Sequence, residues 1–166
     1  MTIDLLKRTA WFLVFVLAQA IVLGRIHLFG CATPLLYVWF VALLPRNYPK
    51  WGSLLWSFLM GLSVDIFSNT PGVAAASLTL IGVLQPYFFT LFAPHDSVED
   101  LEPSIKNIGP TKYIYYISVL VVLYCTLFYS LEMFSFLDWL FWLQCVVGSA
   151  LVTLALILTF EIVRSK

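Results

Sequence analysis

The chain has 166 residues, of which 61% are hydrophobic and only 11% charged. Soluble domains run at about 45–50% apolar and about 25% charged, so this composition excludes an ordinary soluble fold and places most of the chain against lipid. Nine basic side chains balance nine acidic ones, which argues against a nucleic-acid binder, since that needs a basic surface.

A membrane helix needs about 20 mostly apolar residues, with roughly 17 as the floor. The gaps between charges and turn residues predict six spans, hence an all-α, polytopic six-helix transmembrane bundle in a single domain. The first runs from Thr9 to Gly24, after Lys7 and Arg8. Its start also resembles a signal peptide, with Ala18-Gln19-Ala20 in the small-x-small form of a cleavage site; an uncleaved anchor is the simpler reading. The second span runs from Ile26 to Leu44, is interrupted by Pro34 and is closed by Pro45. Its unbroken part, Leu35 to Leu44, is too short to cross alone, so a re-entrant or tilted helix is the rival expectation. The third runs from Trp51 to Phe67, the fourth from Gly72 to Phe92, the fifth from Tyr113 to Leu131 and the sixth from Trp139 to Val163.

The basic residues test this count. With a cytoplasmic N-terminus, the inner segments hold Lys7, Arg8, Arg46, Lys50, Lys106, Lys112, Arg164 and Lys166, and the outer segments hold only Arg25. That is the positive-inside pattern. It predicts an even number of spans with both termini in the cytoplasm. Aromatic residues at span ends (Tyr48, Trp51, Tyr113, Tyr115, Tyr116, Trp139 and Trp142) read as interfacial anchors. The longest extramembrane piece, Pro94 to Lys112, carries Asp96, Glu99, Asp100 and Glu102 against Lys106 and Lys112. Ser97 with Asp100 loosely fits a capping box, so a short cytoplasmic helix is expected there.

Motifs that would carry catalysis are missing. No Walker loop, G-x-G-x-x-G, H-E-x-x-H or G-x-S-x-G stands in the chain. Cys31, Cys125 and Cys145 fit no zinc spacing and read as packing residues. His27 and His95 stand beside no nucleophile or carboxylate pair. No enzyme activity, cofactor or metal is expected.

Asp65 is the residue that stands out. A carboxylate inside a span costs about 2.5–3.5 kcal/mol on insertion scales, and by default it is paired or functional. Asp65 reads as the one acidic residue within a span. Ser53, Ser57, Gly61 and Asp65 recur every fourth residue and form one slanting stripe on a helix. Ser68 lies on the same side, and Asn69-Thr70-Pro71-Gly72 follows as a turn. Three roles are open for Asp65. It bonds backbone amides at the turn, or it serves helix packing or partner docking on a face of small residues, or it carries protons or ions. The last lacks a second membrane carboxylate to complete a relay. Small residues also recur at Ala75 and Thr79, at Gly72 and Ala76, and at Cys145, Ser149 and Thr153 beside Gly148.

The stretch Gly61-Leu62-Ser63-Val64-Asp65-Ile66-Phe67-Ser68-Asn69-Thr70-Pro71-Gly72-Val73-Ala74-Ala75-Ala76-Ser77 resembles the signature of MreD, the rod shape-determining membrane protein family of bacteria. The matching positions are Gly61, Asp65, Ser68 and Gly72. The basic N-terminal anchor, the span with Pro34 and the Leu44-Pro45-Arg46 exit are similar as well. Gln85-Pro86-Tyr87-Phe88 and Leu91-Phe92-Ala93-Pro94-His95-Asp96 are similar to members from Bacteroidetes-like bacteria. The resemblance implies a non-enzymatic scaffold of the cell-elongation machinery in the cytoplasmic membrane. It would dock an MreC-like protein with one span and act alongside the MreB filament and a RodA-type synthase in peptidoglycan synthesis. Ser57, Gly61, Asp65, Ser68, Pro71 and Gly72 would form the docking or structural motif. The family's bundle is also likened to the substrate-binding subunits of energy-coupling-factor transporters, so a small-molecule-binding transporter subunit is the alternative. That function needs a pocket of convergent polar groups open to the outside.

Overall fold

The computed structural model describes residues 2–22, 25, 32–93, 101–134 and 138–165. Regular structure among them is helical: α1 (Thr2–Ile21), α2 (Val38–Ala42), α3 (Lys50–Ser68), α4 (Val73–Phe92), α5 (Ile105–Ile108), α6 (Pro110–Met133) and α7 (Trp139–Ser165). Four of these, α3, α4, α6 and α7, are long and apolar enough to cross a membrane. They coincide with the third to sixth expected spans, the ends agreeing to within a turn. α1 has the length, at 20 residues, but its first two turns carry Asp4, Lys7 and Arg8. The described part of the chain is therefore all-helical, with four helices fit to span a membrane, as in a membrane protein. His27, Cys31, His95 and the Ser97–Asp100 capping box lie outside the described residues.

The second expected span is not a continuous helix. Among its described residues only Val38–Ala42 is helical, five residues long, or about 7.5 Å of rise. Pro34 explains the break, because it removes a donor and pushes its predecessor out of the helical region. Yet Leu35, Leu36, Tyr37, Val38, Trp39, Phe40, Val41 and Ala42 are all buried. The segment runs down the middle of the bundle rather than along lipid. Trp39 meets Phe15 of α1 edge-on at 5.7 Å and stacks on Phe160 of α7 at 6.3 Å. Phe40 packs on Phe12 and Trp56, and Tyr37 on Tyr124.

Irregular backbone at membrane depth survives only where protein satisfies its polar groups, and here the surrounding helices do so. Ser149 Oγ of α7 accepts the Thr33 N–H at 3.1 Å, and Thr153 Oγ1 accepts the Leu35 N–H at 3.0 Å. Gln19 of α1 donates to the Pro34 carbonyl at 3.1 Å. Tyr116 of α6 donates to the Ala42 carbonyl at 3.0 Å, and Gln85 of α4 to the Leu44 carbonyl at 3.0 Å. The small-residue stripe of α7 thus serves this central segment: a Cβ on Gly148 would sit 3.1 Å from Ala32.

The long helices alternate in direction, as their contacts show. Tyr129, late in α6, bonds Ser149, early in α7, while Ser104, just before α5 and α6, bonds Glu161, late in α7. Lys7, Arg8, Arg46, Lys50, Lys106, Lys112 and Arg164 therefore gather at one end of the bundle, the basic end. The α3–α4 turn lies at the opposite end. Trp51 and Trp139 are largely exposed near the helix ends, as interfacial anchors are. Tyr113 and Tyr116 are not anchors: both are fully buried. Their hydroxyls take up the Trp39 indole N–H and the Gln85 amide, each at 3.0 Å.

Candidate functional site: the α3–α4 hairpin

The α3 stripe packs on α4. A Cβ on Gly61 would fall 2.5 Å from Ala75 Cα and 2.7 Å from the Ala74 carbonyl oxygen, so only glycine permits this approach. Ser57 fits against Gly82 in the same way from the opposite side, and it donates back to the Ser53 carbonyl at 2.7 Å. Pro86 lies inside α4 and cannot supply the N–H that the Gly82 carbonyl would otherwise receive. Ser53 Oγ approaches that carbonyl at 3.4 Å from α3. The face built by Ser53, Ser57, Gly61 and Asp65 is therefore covered by α4 of the same chain. It is not open to a partner helix.

Asp65 is 4% exposed. Its carboxylate accepts the Ala74 N–H at 2.9 Å, the Ala75 N–H at 2.8 Å and the Thr70 hydroxyl at 2.9 Å. Ala74 and Ala75 are in the first turn of α4, where backbone N–H groups have no intrahelical acceptor. The N-cap position of α4 is Gly72, with φ +82° and no side chain to cap with. Asp65 supplies that cap from the preceding helix. A helix N-terminus favours negative charge, which explains why a carboxylate is tolerated at this depth.

The turn is fixed from the α3 side as well. Asn69 adopts the left-handed conformation (φ 57°, ψ 34°), and both it and Thr70 donate to the Asp65 carbonyl, Thr70 at 3.3 Å. One residue thus holds the last turn of α3 with its backbone and the first turn of α4 with its side chain. Ser68, Pro71 and Gly72 lie in this turn and are exposed. The structure brings all six candidate residues onto one hairpin, with Ser57, Gly61 and Asp65 in the seam and Ser68, Pro71 and Gly72 at the tip.

Asp65 has a counterpart that the sequence reading missed. Glu161 falls within the sixth expected span and is fully buried, so Asp65 is not the one acidic residue within a span. Glu161 Oε1 accepts the Ser104 hydroxyl at 3.0 Å and the Ile105 N–H at 3.3 Å, at the start of α5. Its other oxygen lies 3.7 Å from Arg164, which also pairs with Glu102 at 3.4 Å. Glu161 pins the short helix before α6, as Asp65 pins α4. The described helix of that loop begins at Ile105, beyond the Ser97 start expected for it.

Beside the hairpin, at the same end, is a cavity of about 440 Å³. Polar groups on its walls include Gln19, Thr33, Ser68, Thr70, Tyr129 and Glu132. Tyr129, Thr33 and Ser149 form a hydroxyl cluster there, with contacts of 3.0 and 2.6 Å. Gln19 is 4% exposed, and its Oε1 has no hydrogen-bond partner among the described residues. Cys145 is a further wall residue of this cavity, and it and Cys125 are both buried within the helices. Among the described residues no group of three His, Cys, Asp or Glu side chains converges as a metal site.

Comparison with models of protein families, with curated proteins and with solved structures finds no match to this chain.

Proposed function

We propose that the protein is a non-enzymatic scaffold of the bacterial cell-elongation machinery, of the MreD type. It sits in the cytoplasmic membrane with both termini in the cytoplasm and docks an MreC-like single-span partner. The observation that carries this reading is the hairpin. Gly61, Asp65, Ser68 and Gly72, the residues of the resemblance, form one seam and one turn. The turn is held rigid from both sides yet stays exposed. A preorganised surface loses little freedom on binding, which suits a docking point.

The covered α3 face moves the docking element to the tip, Ser68 to Gly72. The positive-inside rule assigns the basic end to the cytoplasm, so the tip lies outside it, where an MreC-like protein has its large part. The chain then crosses six times, the second time along the expected span Ile26 to Leu44, whose later part is the buried segment. MreB and a RodA-type synthase belong to the same assembly.

Affinity purification of the full chain from detergent, with co-purifying membrane proteins identified, tests this. An MreC-like protein is expected, and Ser68→Trp at the exposed tip should lose it while the fold persists. Recovery of an ATPase module instead overturns the scaffold reading. One observation favours that second reading, a ligand-binding transporter subunit: the 440 Å³ cavity with its unpartnered Gln19 oxygen.

A further inference from the structure

At the basic end, a cleft of about 300 Å³ lies between the start of α1 and the end of α7, over the buried segment near Trp39. Its mouth carries Lys7, Arg8 and Arg164, with Asp4 and Glu102 beside them. Arg164 is engaged with Glu102 and Glu161. Arg8 is not engaged in this way. Its guanidinium stands 4.2 Å over the Tyr48 ring, and its Nη1 is buried without a hydrogen-bond partner among the described residues. A buried charged donor without an acceptor is costly. The planar guanidinium fork matches a phosphate.

Below the mouth the walls turn apolar and aromatic. Trp11 and Phe15 of α1 face Trp39 and Phe40 of the central segment. Trp11 is also 51% exposed, so this wall runs out onto the lipid-facing side of α1. A phosphate group at Arg8 and Lys7 would leave the aromatic wall unused unless it carried an apolar tail.

We infer that this cleft binds an anionic phospholipid, with the headgroup phosphate at Arg8 and Lys7 and an acyl chain along the Trp11–Phe15 wall. Cytoplasmic-side basic pockets between helices are suited to such headgroups, and the cleft is separate from the hairpin tip at the other end of the bundle.

The test uses the purified full chain in neutral detergent, titrated with phosphatidylglycerol or phosphatidylcholine, with bound lipid counted by native mass spectrometry. Phosphatidylglycerol should be retained about tenfold more than phosphatidylcholine. Lys7→Gln and Arg8→Gln should each lower that retention about fivefold, the factor expected for one basic side chain. Lys7 is exposed, so its variant folds and decides the matter even where Arg8→Gln does not fold. Equal retention of the two lipids overturns the proposal, as does full phosphatidylglycerol retention by Lys7→Gln. Displacement of the lipid by millimolar inorganic phosphate also overturns it, by showing a site for the free anion. So does a shift of the chain to a lipid-free dimer that Lys7→Gln abolishes.

Discussion

The carboxylate of Asp65 accepts the backbone N–H of Ala74 at 2.9 Å, across the turn between two membrane helices. Its second oxygen takes the next amide, Ala75, at 2.8 Å. A side chain of α3 is therefore part of the hydrogen-bonding of α4, and the two helices are one cooperative unit.

Substitution at Asp65 should separate shape from charge. Asp65→Asn keeps one acceptor oxygen for two amides, so it should cost about 1–2 kcal/mol, the usual range for a lost cap. Asp65→Leu leaves both amides buried and unpaired, at roughly 1–3 kcal/mol each. The unfolding midpoint in detergent should fall in the order wild type, Asn, Leu. An unchanged midpoint for Asp65→Leu would remove the capping role. A folded Asp65→Asn that has lost its MreC-like partner would place the charge itself in docking.

Gly61 and Gly72 should respond differently to alanine. At Gly61 the new Cβ meets α4 backbone at 2.5 Å, which cannot yield without parting the helices. Overpacking of this kind costs about 1–3 kcal/mol. At Gly72 nothing lies within 4 Å and only the positive φ of 82° is strained, at about 1 kcal/mol. Unfolding of the two variants, measured side by side, should rank Gly61→Ala as the worse.

Thr153→Val tests the central segment. The two side chains have nearly the same shape, and the change strands the Leu35 N–H that Thr153 accepts at 3.0 Å. A loss of about 1–3 kcal/mol is expected, with faster alkylation of Cys145 as the segment loosens. Thr159→Val, on the exposed side of α7 where the hydroxyl bonds only Ala155 of its own helix, should leave both unchanged.

Glu161 should govern the loop at the basic end. Glu161→Gln keeps an acceptor for Ser104 and Ile105 and loses only the ion pair with Arg164. Glu161→Leu loses all of them. Protease cleavage between residues 101 and 109 should be faster in the Leu variant and close to wild type in the Gln variant. Equal rates in all three would show that Glu161 does not hold the loop.

The four long helices were legible because each is an apolar run bounded by charges or turn residues, and that boundary is local. Asp65 was legible as an anomaly, being a carboxylate in such a run. Its partners were not, because they are backbone amides, which every residue but proline carries. The same limit hid the central segment. Pro34 announced the break, but the donors and acceptors that rescue the backbone are far away in the chain, Thr153 standing 118 residues from Leu35. Glu161 was overlooked for a different reason. It stands two residues from the end of the sixth expected span, and only its bonds to Ser104 and Ile105, far away in the chain, show that it is buried. Tyr113 and Tyr116 open the fifth expected span as a belt would. Only their bonds to Trp39 and Gln85 show that they face the core.

The segment from Pro34 to Leu44 has a consequence for assembly. A stretch without continuous helical bonding has no stable existence in hydrocarbon by itself. Its polar groups depend on Gln19, Gln85, Tyr116, Ser149 and Thr153 from the surrounding helices. The early part of the chain thus relies for its place in the membrane on α7, far later in the sequence.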